Sequence, residues 1–174
     1  MTKLHKVERR LDKIFNESFP DLPTDTKKFI VKYVPWLSLA AGLLSIWSAW
    51  DLWNSAHSVN TVVSYANNIG VTYSQPRIIT TTNQVTIGVW LGVILILIEA
   101  ILYITAYRGL VAQKKSGWNL IFYGLGVNIV YGLVLAFTNY GGFGTFLSYL
   151  IVSFIGLYLI FQIRSAYIPK AKRK

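Results

Sequence analysis

No cysteine occurs in the 174 residues of this chain, which excludes disulfides, thiolate metal sites and cysteine-linked lipid anchors. Histidine is nearly absent as well. His5 and His57 fit no zinc-protease spacing, so neither a metal nor any other cofactor is expected. Charged residues make up only 14% of the chain, about half the share of an average soluble domain. Acidic residues are scarcer still, 7 against 17 Lys and Arg, leaving a net charge of +10. Neither a Gly-x-Ser-x-Gly elbow nor a phosphate-binding loop is present. Asp51, Ser55, His57 and Ser58 are sequence neighbours, which is not triad geometry. The residues give enzymatic chemistry no footing, and the chain is read as non-enzymatic.

Apolar residues dominate instead, at 53%. They concentrate in four runs, 35–53, 85–107, 118–139 and 143–164. Each has about the 20 residues a helix needs to cross ~30 Å of hydrocarbon. The fold expected is an all-α, four-helix transmembrane bundle. A basic arm (1–34) precedes it, a segment at 54–84 lies on the far side, and a basic tail (165–174) follows. The polar stretch before Pro35 is long and partly acidic, and no small-x-small cleavage site follows the first run. That run is therefore expected to remain in the membrane as a signal anchor.

Charge orients the spans. Sixteen of the 17 Lys and Arg lie before the first run, between the second and third, or from Arg164 at the very end of the fourth onward, and only Arg77 lies in 54–84. The positive-inside rule then places both termini and the middle loop in the cytoplasm, in the inner membrane of the cell. Basic residues flanking apolar runs, without a stripe of exposed aromatics between them, also argue against a nucleic-acid partner.

Within the arm, Leu4, Val7, Leu11, Ile14 and Phe15 follow helical spacing, with Lys6, Arg9, Arg10 and Lys13 around the other side. Such a helix either lies on anionic lipid through its basic residues or packs against the ends of the spans. After the Phe19–Pro23 turn, Thr24 or Asp25 caps a second helix, which Pro35 can kink. In 54–84, Thr61–Tyr65 and Val71–Tyr73 read as a hairpin about Asn67–Gly70, while 60–69 reads equally as a short helix. Trp36, Trp50 and Trp53 suit the headgroup belt, and Asp51 a solvated boundary.

Glu99 is the one carboxylate well inside a run. It lies nine residues from Arg108, roughly 13 Å along the axis. An ionised group at that depth is costly, so Glu99 must face protein or water. It shares a helix face with Gly88, Gly92, Leu95, Tyr103 and Ala106, and Gly88 with Gly92 forms a GxxxG pattern that admits a close helix. The third run repeats the device with Gly124, Asn128 and Gly132. Asn128 lies about 15 Å deep from Trp118. Ser153 comes out at a comparable level, and Tyr123 or Tyr131 is placed to reach in. A polar cluster of Glu99, Asn128, Tyr103, Tyr131 and Ser153 is thus expected at mid-membrane. In one reading it holds the bundle in register, and the small-residue faces serve assembly with further copies or a membrane partner. In the other, Glu99 is the proton or cation site of a small oligomeric transporter or channel.

Lys114–Leu120 supplies headgroup lysines, a glycine suited to a turn and a tryptophan suited to the interface. This segment, with Tyr123 and Leu157–Tyr167, resembles uncharacterised small four-span proteins of candidate-phylum bacteria, some of them labelled chromate transporters. The resemblance covers the C-terminal third and implies a four-span fold, without assigning any site residue. The runs' interior offers a carboxylate and no Lys or Arg, which argues against an oxyanion such as chromate.

Overall fold

Two prolines set the first boundary. Helix α1 (Lys3–Glu17) stops ahead of Pro20 and Pro23, neither of which has the N–H needed to continue a helix. Helix α2 then runs without a break over Thr24–Thr72, with Pro35 inside it. Its 49 residues amount to about 70 Å, more than twice the hydrocarbon thickness. Helices α3 (Thr82–Val111), α4 (Lys115–Ala136), α5 (Phe143–Gln162) and the single turn α6 (Arg164–Tyr167) follow. The computed structural model describes residues 3–72, 82–137 and 143–168, and among them every ordered element is helical.

Among the described residues, four segments are long and apolar enough to cross a membrane: Thr24–His57, Gly88–Val111, Lys115–Ala136 and Phe143–Gln162. The protein is a multi-pass membrane protein. Of the two readings of the far segment, the helical one is the nearer, but 60–69 is the unbroken continuation of α2 to Thr72 and not a short helix of its own, while Tyr73 and Arg77 lie outside the described residues. β-Branched Thr61, Val62 and Val63 are tolerated because they extend an existing helix, and the costly nucleation step has already been taken.

Each span packs against its sequence neighbour, α2 on α3, α3 on α4 and α4 on α5, whereas α2 and α5 form no comparable interface. The bundle is therefore open between its first and last spans. The central position of α3 follows: 39% of its apolar window is buried, against 17% for α2 and 11% for α5. Most of the outer two helices is left to lipid or to partners.

The glycines do something other than expected. Rather than admitting a neighbouring backbone, Gly92, Gly124 and Gly132 are filled by side chains, a tyrosine at each, joined at Gly92 by Leu52. A Cβ at Gly92 would stand 3.3 Å from Tyr131 Cε2, and one at Gly132 2.6 Å from Tyr149 Cβ. At Gly124 it would run into the Tyr103 ring. Gly88, on α3 with Gly92, is half-buried. Direct backbone contact occurs elsewhere, where a Cβ on Gly109 would lie 2.6 Å from the Gly117 nitrogen. Gly117 is thus a packing residue inside α4, and the left-handed turn position belongs to Gln113 (φ 49°). Gly42 plays a similar part between α2 and α3, 3.1 Å from the Ala100 carbonyl oxygen by the same measure.

Trp118 is a second correction. Expected at the interface, it is 1% exposed, and its indole N–H donates to the Ile160 carbonyl at 2.7 Å. Its ring packs on Phe122 and Phe161, with the Arg164 guanidinium 5.6 Å above it. The hydrogen bond satisfies the indole inside the protein, so the ring has no need of the headgroup layer. Trp36, Trp47 and Trp50 do face outward, and Trp53 packs against Trp90.

The arm helix is docked on the bundle. Phe15 is buried, stacked on Phe161 and packed against Phe154. Arg164 donates to Glu8 Oε1 at 2.6 Å and to Asp12 Oδ2 at 2.8 Å. Gln162 accepts from the Leu22 N–H and donates to the Phe15 and Pro20 carbonyls, and the Tyr158 hydroxyl also donates to Pro20. Glu8, Leu11, Asp12 and Phe15 follow i, i+3, i+4, i+7 spacing, so one face carries both acids and the buried ring.

Candidate functional site

Three helices deliver one polar side chain each to the middle of the bundle. Glu99 on α3 is 7% exposed, Ser153 on α5 is fully buried, and Asn128 on α4 lies between them. The Asn128 amide donates to Glu99 Oε1 at 3.1 Å, and its carbonyl oxygen accepts from the Ser153 hydroxyl at 2.9 Å. An amide suits the middle position because it presents a donor and an acceptor on opposite sides. Tyr103, one turn along α3, also hydrogen-bonds the Glu99 carboxyl. Its backbone carbonyl accepts from Ser38 on α2 at 2.6 Å. A hydrogen-bonded chain thus runs from the Tyr103 hydroxyl by way of Glu99 and Asn128 to Ser153, and Ser38 ties α2 to the backbone of the same tyrosine.

Of the five residues expected in the cluster, four meet. Tyr131 lies further along α4, edge-on to Tyr149 with ring centroids 5.3 Å apart and a hydroxyl-to-hydroxyl contact between them. Its core neighbours are Ala49, Val89, Val93 and Ile96. Tyr123 does not reach in: it is 41% exposed and lines an apolar groove of about 430 Å³ with Phe122, Gly126 and Val130. Sequence reasoning passed over Tyr149 and Ser38. Tyr149 stands four residues before Ser153 on one helix face, which was a usable signal. Ser38 carried none, because a serine bonded to a backbone carbonyl resembles any other in a span.

The chemistry this arrangement offers is narrow. It holds a single carboxyl, an amide, a serine hydroxyl and a phenol, with no histidine, lysine or arginine hydrogen-bonded to any of them among the described residues. A nucleophile paired with a base is not formed there. Neither the apolar groove nor a second cavity of about 730 Å³ at the end bearing both termini has Glu99 in its lining. At that same end the Tyr167 hydroxyl is buried without a hydrogen-bond partner among the described residues, and burial pushes its phenol up to about 12.

On the arm, Arg10 and Lys13 point outward, while the side chains of Lys6 and Arg9 lie outside the described residues. The chain matches no known family profile, no curated protein and no solved structure.

Proposed function

We propose that this is a non-enzymatic protein of the inner cell membrane, with both termini cytoplasmic, which assembles with copies of itself or with a membrane partner. The observation that carries this reading is the Glu99–Asn128–Ser153 network, whose polar groups find their partners within one protomer and line neither of the two cavities described above. A group committed to holding helices in register is poorly placed to pass ions. Because the protomer's own side chains fill Gly92, Gly124 and Gly132, assembly is assigned to the outer faces of α2 and α5, which bury little of themselves. The outward Arg10 and Lys13 are proposed to meet anionic headgroups beside the docked arm. Kinship with the small four-span bacterial proteins is proposed on the residues that carry the resemblance.

The rival reading, Glu99 as proton or cation site of a small oligomeric transporter or channel, draws on the rarity of a carboxyl at this depth. One experiment decides between them. Wild type and Glu99→Gln are reconstituted into liposomes for proton and cation flux, and their mass is measured in the same detergent preparation. The expected result is no flux from either and an unchanged oligomer. Wild-type flux that disappears in Glu99→Gln, with assembly intact, overturns the scaffold reading.

A further inference from the structure

The opening between α2 and the end of α5 is not only a gap in the bundle. At the end bearing both termini it widens into the cavity of about 730 Å³, whose lining includes Lys27, Lys28 and Lys32 and no carboxylate. Lys27 bonds Asp21 at 2.7 Å and Lys28 lies 3.4 Å from Asp25, both acids outside the lining. Lys32 stands over the Tyr33 ring and has no acidic partner among the described residues. Trp36 and Tyr107, edge-to-face at 5.3 Å, close the side toward the membrane centre. Lys32 precedes Trp36 by one helical turn, roughly 6 Å, which matches the ~5–8 Å depth of the polar layer in each leaflet. Ammonium groups at headgroup level, aromatic rings at the hydrocarbon boundary and an opening where no span closes the bundle are what a phospholipid would need.

We propose that this cavity is a binding site for one anionic phospholipid, its phosphate held by Lys28 and Lys32 and its glycerol region lying against Trp36 and Tyr107. The chemistry recognised is a phosphate ester, and it is the Trp36–Tyr107 wall that favours a lipid over a free phosphate. The site is separate from the arm's basic face, and it stands whether or not Glu99 moves ions.

The test uses the full chain, delipidated in detergent and followed by native mass spectrometry. Phosphatidylglycerol and phosphatidylcholine are titrated in separate arms, and glycerol phosphate serves as soluble competitor. Wild type is expected to hold one phosphatidylglycerol per protomer in preference to phosphatidylcholine. Lys28→Ala/Lys32→Ala is expected to weaken that binding about 25-fold, at about 5-fold per surface lysine. Lys28→Arg/Lys32→Arg should retain it. Ala166→Trp, on the exposed cavity wall, should block binding without changing charge. Arg10→Ala/Lys13→Ala should leave it intact. Both lysines are exposed, so their replacement leaves the fold in place, and a thermal melt checks this. Equal binding of the two lipids, wild-type affinity in both Lys28→Ala/Lys32→Ala and Ala166→Trp, or loss through the arm variant instead would overturn the proposal. Displacement of the lipid by glycerol phosphate at equal concentration would assign the site to a soluble anion and overturn it equally.

Discussion

Gly124→Ala tests the central packing of the bundle, because one methyl group would enter space that the Tyr103 ring already occupies. Two further ring atoms, Cδ1 and Cζ, stand 3.0 Å from where the new Cβ would be, against an ordinary contact of 3.4 Å or more. The ring has little room to yield: Tyr103 is 9% exposed, its hydroxyl is bonded to Glu99, and its carbonyl is held by Ser38. Overpacking of this kind costs about 1–3 kcal/mol. Gly126, two residues away on the same helix, has nothing within 4 Å of its own added Cβ. Gly126→Ala should therefore be neutral or stabilising by up to about 1 kcal/mol, from helix propensity alone. Thermal unfolding in one detergent, followed by tryptophan fluorescence, compares the two variants under the same conditions. Combining Gly124→Ala with Tyr103→Ala should give less than the sum of the single effects, since removing the ring vacates the contested space. If Gly124→Ala and Gly126→Ala shift the transition equally, or if the double variant is additive, the register of α3 against α4 described above is wrong.

Arg164→Ala should release the arm by leaving Glu8 and Asp12 without their shared guanidinium, at about 1–3 kcal/mol. Hydrogen exchange over 3–17 should rise while α3 and α4 keep their protection, and unchanged exchange would mean that the apolar contacts of Phe15 suffice. Tyr167→Phe should hold or raise stability, since it removes a buried hydroxyl without a partner. Because burial raises that phenol to about 12, its neutral form supports the fold below the ordinary tyrosine value of about 10, and this support is lost as pH rises toward 12. The wild type should therefore lose more stability than Tyr167→Phe over that interval, and parallel pH profiles would contradict the assignment. For orientation, an impermeant maleimide applied to intact cells should label Ser64→Cys and spare Ser116→Cys, and the reverse pattern would invert the topology.

Hydropathy and depth are one-dimensional quantities, and the sequence by itself determined what depends on them. Four apolar runs set the number of spans, and the proline pair at 20 and 23 set the break between the arm's first helix and the helix that enters the membrane. Counting a fixed rise per residue brought Glu99, Asn128 and Ser153 to one level, where the structure bonds them to each other. Rotation about each helix and the choice of partner are not contained in that count. Glycine periodicity marked the faces of α3 and α4 that pack, but whether a backbone or a tyrosine fills each notch depends on the neighbour's register, and here tyrosines fill three of them. A tryptophan at the end of a span reads the same whether it meets headgroups or, like Trp118, finds a carbonyl inside the protein. Arg164 read as a topology signal because its acidic partners lie more than 150 residues away on the arm. Tertiary structure alone decided these matters, and with them the opening between α2 and α5, because each depends on groups remote in the chain meeting within hydrogen-bonding or van der Waals reach.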